Sequence, residues 1–463
     1  MSTGKEIYLE PTLPTLNEKP AKAKPKKPSR WRSSNPDFRH RATLPVPPAA
    51  EIEQRLRSVL TPALFAPMRM PGAWRLRNRL LTLPAMMAIV VSLVWRQIPS
   101  LAEVLRLLAS EGLLWQPTLV VSRQALSKRL ARLPVALFAG LFDQVVGAIQ
   151  NHPSSPSAPP APSPALASVR ERFSALWIAD GSTLEALKKK LRELKKQKSP
   201  LGGKIMMVVD AWSRQPVKAF YTPKAKANDR TFVDSLIQLL PVGGLLIFDL
   251  GFFSFPFFDA FSQGGKFFLT RLREKTAFKT VSLLSQGPRY RDEIIRIGLT
   301  WDYPCQHEVR LVSILWNQTW YRYLTNVLDP EKLSARQVGE LYRRRWRIEE
   351  AFLLTKRLLG LSYLWVGGHN GVQIQIYATW IFYAVLLDFC RQVAVALGQP
   401  QDRISVEMVY RSFYHFSRAS EKDPSTQLIP FLTAHVKLFG LVKAITKRQR
   451  MIQQQLEAIW VPP

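Results

Sequence analysis

Two aspartates stand where an apolar run gives way to glycine: Asp180 in "LWIADGS" and Asp249 in "LLIFDLGFFS". Each run reads as a strand, and in an open α/β sheet ligand-binding groups gather at the C-terminal edges of strands. Turns also favour Asp, so either residue alone would mean little. A third acid, Glu349, lies in "YRRRWRIEEAFLLTKRLLGL" (Tyr342–Leu361), a stretch with six Arg and Lys. Carboxylates are costly to bury unless something pairs with them. Three of them gathered at one place suit a hard divalent cation such as magnesium, which takes carboxylate and water oxygens. Metal held there could activate water or a 3′ hydroxyl and stabilise the leaving oxygen of a phosphodiester.

The stretch around Glu349 predicts one continuous helix. At about 100° per residue, Tyr342, Arg345, Glu349 and Lys356 fall within a stripe about 60° wide. Leu341, Ile348, Phe352 and Leu359 form the adjoining apolar stripe, which places Glu349 at the margin of a core. Arg345 and Lys356 can then neutralise phosphate oxygens, and Tyr342 offers a hydroxyl or a ring. Arg343, Arg344 and Arg347 face elsewhere, to solvent or along a nucleic-acid backbone. Charge pattern alone more commonly reflects an exposed ion-paired helix. Glu350 points about 100° from Glu349 and reads as a salt-bridge partner. Asp210 sits at a hairpin and His369 in a "GGHNG" turn, and both read as structural.

The spacing Tyr342-x2-Arg345-x3-Glu349-x6-Lys356 resembles the Y-R-E-K signature of the DDE transposases of bacterial insertion sequences, the cut-and-paste kind. "IADGS" and "LLIFDLGFFS" are similar to that family's first and second Asp segments. The resemblance covers about residues 170–390 and implies an α/β fold, with a ribonuclease H-like core interrupted by a β-rich insertion. It also implies that Asp180, Asp249 and Glu349 bind two Mg²⁺ ions, for which Mn²⁺ can substitute. Tyr342, Arg345 and Lys356 would hold the phosphates of a DNA end, and Trp346 would stack on an unpaired base. Leu250 departs from the pattern, since the family often has Arg after its second Asp.

The elements that must position these residues follow from composition shifts along the chain. Residues 1–48 are Pro- and Lys-rich, with Lys19, Lys22, Lys24, Lys26 and Lys27 between prolines, and read as a disordered basic arm. Residues 49–150 read as helical. Within them "PSLAEVLRLLASEGLLW" opens with a Ser100…Glu103 capping box, and "SRQALSKRLARLP" forms a second helix capped by Ser122. The pair resembles a helix-turn-helix exposing Arg123, Gln124, Ser127 and Lys128; an ordinary helical hairpin with a basic face fits the same pattern. A Pro/Ser/Ala linker spans 151–168. A catalytic α/β domain follows at 169–390, with its β-rich insertion at about 262–335. Residues 391–463 form C-terminal helices, and "LEALKKKLRELKKQK" (184–198) reads as a cationic inserted helix.

Composition narrows the partners. Lys and Arg number 65 against 34 Asp and Glu, a net charge of +31, and a field of that sign attracts polyanions. Nucleic acid is the expected partner, with an acidic membrane surface as the competitor. Leu83–Trp95 and Ile376–Phe389 are apolar but shorter than the roughly 20 residues a span requires, so they read as buried helices and no membrane association is expected. Only two cysteines occur, Cys305 and Cys390, far apart and without zinc spacing, which argues against a disulfide scaffold and a structural zinc site and fits a reducing, cytoplasmic, nucleoid-associated setting. The reading is therefore a transposase that binds transposon ends and target DNA, at least as a homodimer. A transposase-derived DNA-binding protein that no longer cuts, or a nuclease without strand transfer, stands as the alternative.

Overall fold

The computed structural model describes residues 48–60, 80–150, 166–185, 201–316, 318–361, 368–445 and, beyond these, 447, 450, 451, 454 and 457–460. The expected basic arm, nearly all of the linker and most of the Lys-rich insertion lie outside the described residues. In chain order the strands are β1 (Leu176–Glu185), β2 (Leu201–Asp210), β3 (Pro216–Thr222), β4 (Leu245–Ile247), β5 (Phe267–Arg271), β6 (Phe278–Gly287), β7 (Tyr290–Ile297), β8 (Val309–Trp316) and β9 (Thr319–Thr325). Among the described residues they form one mixed sheet, ordered β3-β2-β1-β4-β5-β9-β8-β7-β6. The hairpin β2–β3 is antiparallel to its neighbour β1. β1, β4 and β5 run parallel, and β5 meets β9 antiparallel at the start of a four-stranded meander.

Alternation along the strands sets the two faces of this sheet. Ile178, Ile205, Met207, Val209, Leu245, Ile247 and Leu269 point into one core, whereas Ala179, Met206, Val208, Leu246, Phe248 and Phe268 point into another. Asp180 follows Ile178 by one alternation and so belongs to the first face. The expectation that its strand ends at Asp180 is corrected: β1 continues to Glu185 in register with β2, pairing Asp180 with Met207. What ends there is the pairing with β4, whose last partners are Ile178 and Ile247. Asp180 and Asp249 each stand two residues beyond that last pair, where the sheet opens.

The helices are α1 (Ala50–Val59), α2 (Leu83–Trp95), α3 (Leu101–Ser110), α4 (Arg123–Arg132), α5 (Val135–Gln150), α6 (Val233–Leu239), α7 (Phe255–Gln263), α8 (Ala335–Arg344), α9 (Trp346–Arg357), α10 (His369–Ala396), α11 (Val406–Lys422) and α12 (Leu428–Ala434). α6 and α7 serve the second face through Leu236, Phe257, Phe258 and Phe261. The others share the first core, in which α10 is the axis and touches α2, α4, α5, α11 and α12 as well as β3. α10 is long and apolar enough to cross a membrane by length and composition, but 89% of its most apolar window is buried inside the protein. Across this core Arg55 Nη2 pairs with Asp388 Oδ2 at 2.7 Å, tying α1 to α10. Ser122 caps α4 by accepting from the Ala125 amide at 3.1 Å. Residues 111–122 join α3 to α4, far longer than the three- or four-residue turn of a helix-turn-helix. The basic-faced hairpin is therefore the arrangement present.

One buried ion pair connects the meander to the helices that carry Glu349. Arg310 of β8 and Asp292 of β7 are 0% and 1% exposed and meet in a two-point contact, Nε–Oδ1 2.7 Å and Nη2–Oδ2 2.6 Å. Arg310 Nη1 also donates to the Leu333 carbonyl at 2.6 Å, immediately before Ser334, the capping-box residue that starts α8. Replacing one partner strands a buried charge, which costs about 3–5 kcal/mol. Asp292→Ala should therefore lose about that much stability in a urea titration, and Asp292→Asn less. A loss below about 1 kcal/mol for Asp292→Ala would mean that the pair does not brace this junction.

Candidate active site

The two aspartates are held by their own backbone. Asp180 Oδ1 accepts from the Gly181 amide at 2.8 Å. Asp249 Oδ1 accepts from the Gly251 amide at 2.8 Å and so caps the 3₁₀ turn Leu250–Phe252. Each carboxylate thereby spends one oxygen on its own backbone, and the other takes no part in that bond.

The expected single helix is two. α8 stops at Arg344 and α9 starts at Trp346. At the joint the Arg345 amide donates to Tyr342 O at 3.0 Å and the Ile348 amide to Arg345 O at 3.1 Å. These three-residue bonds tighten the turn, so the stripe computed for a regular helix does not survive intact. Tyr342 and Arg345 are buried, while Trp346 is 61% exposed. The apolar stripe does persist: Leu341, Ile348, Phe352 and Leu359 are all buried.

Arg345 is the hub. Its Nη1 lies 3.0 Å from Asp180 Oδ2 and its Nη2 3.0 Å from Glu349 Oε1, so one guanidinium joins the strand acid to the helix acid. Tyr342 supports it from below, with its ring 5.1 Å from Tyr323. Burial pushes its hydroxyl up to about 12, against the pull of Arg345 and Arg271, with Asp249 adding to the rise. The same guanidinium lies over the Trp346 ring, 4.9 Å from the ring centroid. Lys356 Nζ reaches β1 just beyond Asp180, donating to Ser182 Oγ at 2.7 Å and Thr183 O at 2.8 Å. Arg123, Gln124 and Lys128 are exposed on α4, apart from this cluster.

Arg343 is exposed, as expected, but Arg344 and Arg347 are anchors, which charge pattern alone did not reveal. Arg344 is buried, donates to Ala211 O at 2.8 Å and covers the Trp212 ring. Arg347 pairs with Asp402 at 3.2 Å. Glu350 takes Lys443 at 2.5 Å, Arg347 at 3.4 Å and Arg214 at 3.6 Å. Burial would raise its carboxyl, but Arg214, Lys443 and Arg347 outweigh that and hold it below the ordinary range. Asp210 accepts from Trp212 N, Ser213 N and Ser213 Oγ at 2.7–3.0 Å and fixes the β2–β3 turn. His369 is the first residue of α10 and meets the Tyr221 hydroxyl at 3.3 Å.

Crowding of negative charge is visible at Asp180. Its side chain is 13% exposed, and its carboxyl is pushed up to about 7, first by burial and next by Asp249, with Glu349 adding to the rise. Arg345 and the Gly181 amide oppose this without overcoming it. Carboxylates that repel one another in a partly dry pocket are a donor set that a hard divalent cation would relieve. Among the described residues no group of three acids, His or Cys stands ready-arranged around a metal position, and the cation now lying between Asp180 and Glu349 is Arg345. The donor chemistry fits a metal once that guanidinium moves.

Residues 172–385 match the family model described as the transposase DDE domain. Over 263 residues the chain is 24% identical to a protein of Sinorhizobium fredii (strain NBRC 101917 / NGR234) named "Putative transposase y4zB", covering 55% of this chain and 68% of that one. A piggyBac transposase synaptic complex with hairpin DNA, solved by cryo-electron microscopy, aligns over 83% of this chain and 82% of its own at 12% identity and a TM-score of 0.40.

A carboxyl whose folded pKa exceeds its unfolded one stabilises the fold below the unfolded value, and that contribution is lost as pH rises through the folded value. For Asp180 the window runs from 3.8 to about 7. In EDTA the melting temperature of the wild type should fall across this window relative to Asp180→Asn, whose amide carries no charge. At pH 8 the variant should melt about 3 °C higher. Parallel melting curves for the two proteins would contradict the assignment.

Proposed function

We propose that the protein is a DNA transposase, since residues 172–385 match the family model described as the transposase DDE domain. It binds the terminal inverted repeats of an insertion sequence, cuts the DNA ends and joins the freed 3′ hydroxyls to target DNA. The observation that carries this reading is the junction where Arg345 draws Asp180 and Glu349 together within electrostatic reach of Asp249. The strand order β3-β2-β1-β4-β5, antiparallel and then parallel, supports a ribonuclease H-like core with the β6–β9 meander inserted. On this reading residues 49–150 form a helical DNA-binding region, 169–390 the catalytic domain and 391–463 a C-terminal helical region.

Asp180, Asp249 and Glu349 would hold the divalent metal, two Mg²⁺ ions or Mn²⁺ in their place. Bound there, the ions would activate the attacking oxygen and stabilise the leaving one in an in-line displacement with no covalent protein intermediate. The chain's own residues prepare that step. Arg345 neutralises two of the acids while DNA is absent, and a phosphate offers its planar fork a strong two-point partner. Docking of a DNA end draws the guanidinium over and releases Asp180 and Glu349. Lys356, held beside Ser182, adds a second cation along the phosphate path, and Tyr342 orients Arg345 from within the core. The exposed Trp346 ring stacks on an unpaired base. Arg123, Gln124 and Lys128 of α4 contact the DNA further along. With a net charge of +31, affinity should fall steeply as salt rises. Working on two ends requires two such sites, hence a homodimer.

The decisive experiment offers a plasmid carrying the element's own ends, with Mg²⁺ or Mn²⁺, to the wild type and to Glu349→Ala. The wild type should cut at the ends and join them, and the variant should bind the ends without cutting. Binding by both without cutting by either would make the protein a transposase-derived DNA-binding protein. Cutting without joining would make it a nuclease, and equal cutting by both would remove Glu349 from the chemistry.

A further inference from the structure

A fourth carboxylate stands between the two aspartate segments, and the proposed metal trio does not include it. Asp229 opens the 3₁₀ turn Asp229–Phe232, where Asn228 Oδ1 accepts from the Arg230 amide at 3.1 Å. Two glycines make room for its side chain. A Cβ on Gly181 would fall 2.1 Å from Asp229 Oδ1, and one on Gly251 would fall 2.9 Å from Asp229 Oδ2 and 2.9 Å from Asp249 Oδ1. Both separations are below 3.0 Å, so a side chain at either position would push the Asp229 carboxylate out of the gap; the demand for glycine is steric and does not come from a special φ. One carboxylate thus rests against the backbone beside Asp180 and, through its other oxygen, against the backbone that Asp249 caps.

Asp229 has its own countercharge. Lys204 Nζ lies 2.6 Å from Asp229 Oδ1 and donates to Ala227 O at 3.0 Å, gripping the loop on either side of Asn228. Lys204 sits on β2 opposite Thr183 of β1, the residue whose carbonyl takes Lys356. The segment from Asp180 to Thr183 is therefore fixed from two elements, by Arg345 and Lys356 on one and by Lys204 with Asp229 on the other. Lys204 holds Asp229 in place through this ion pair, and the contacts of both its oxygens with glycine backbone give it the place of a spacer.

We propose that Asp229 is a positioning residue for the phosphodiester chemistry: wedged between Gly181 and Gly251, it sets the spacing at which Asp180 and Asp249 face a shared cation. This rests on the function proposed above. Residues that orient metal-binding side chains typically contribute 10–100-fold to metal affinity.

The test titrates Mn²⁺ by electron paramagnetic resonance into the full-length protein bound to a pre-cleaved DNA end, for wild type, Asp229→Asn and the double variant Lys204→Met/Asp229→Asn. Melting temperatures are taken alongside. Asp229→Asn should bind Mn²⁺ at least about tenfold more weakly, while a DNA-end binding assay without metal is unchanged. The double variant removes the stranded ammonium and so guards against misfolding. It should stay about tenfold weak, because the spacer is still missing. Wild-type Mn²⁺ affinity in Asp229→Asn would overturn the proposal. Full recovery in the double variant would overturn it too, by reducing Asp229 to a counter-ion of Lys204. If the wild type itself binds no Mn²⁺ and cuts no ends, the transposase reading falls and this inference with it. Wild-type cutting with an unaffected Asp229→Asn removes only the inference.

Discussion

The structure turns on one guanidinium placed between two acids that come from different parts of the chain. Arg345 reaches Asp180 on the central strand and Glu349 one turn further along its own helix, both at 3.0 Å. The contact needs the sheet to open after Ile178, so that Asp180 is free of the β4 ladder. It also needs the helix to tighten at Arg345, so that the side chain enters the protein and Trp346 leaves it. Neither condition serves stability by itself. A parallel ladder gains by continuing and a helix gains by staying regular, and both are interrupted at the place where the acids meet.

A second layer of charge keeps this arrangement from drifting. Behind α9, Glu350 collects Lys443, Arg347 and Arg214, and Asp402 collects Arg344 and Arg347. Arg344 and Arg214 also donate to carbonyls of Ala211 and Gln401. The network fastens the helix to the β2–β3 turn and to the segment after α10. Removing the acids that face Arg214 or Arg344, 1% and 7% exposed, would leave a charge in a site too dry to hydrate it. Adjacent glutamates thus do opposite jobs: Glu349 keeps a carboxylate toward an open space, and Glu350 fixes the backbone that carries it.

Much of this was legible in the sequence. Apolar alternation marked the strands, Ser122 and Ser100 marked two helix starts, and four spaced residues marked the helix with Glu349. What could not be read was which of four neighbouring arginines would be buried. Arg343, Arg344, Arg345 and Arg347 differ only in angle, and a local tightening of the turn changes every angle after it. Asp229 was equally hidden. Its signal lies in Gly181 and Gly251, each beside a marked aspartate, but a glycine after an acid reads as a turn until a third side chain is seen to fill the gap. The length of β1 was misjudged for a similar reason. "DGS" is a natural stop, yet the partner strand β2 carries the ladder past it.

The axial helix α10 has a consequence for how the protein is made. Its apolar surface is covered by α2, α4 and α5, which precede it by more than two hundred residues, and Arg55 of α1 finds Asp388 333 positions later. During synthesis at about 5–20 residues per second, the first helices emerge roughly 20–70 s before their partner exists. For that interval the faces of α2 and α5 lack the helix that covers them. Fragments ending before α10 should therefore be prone to aggregate. The order of assembly is set from the far end of the chain: the N-terminal helices come first in sequence and last in place.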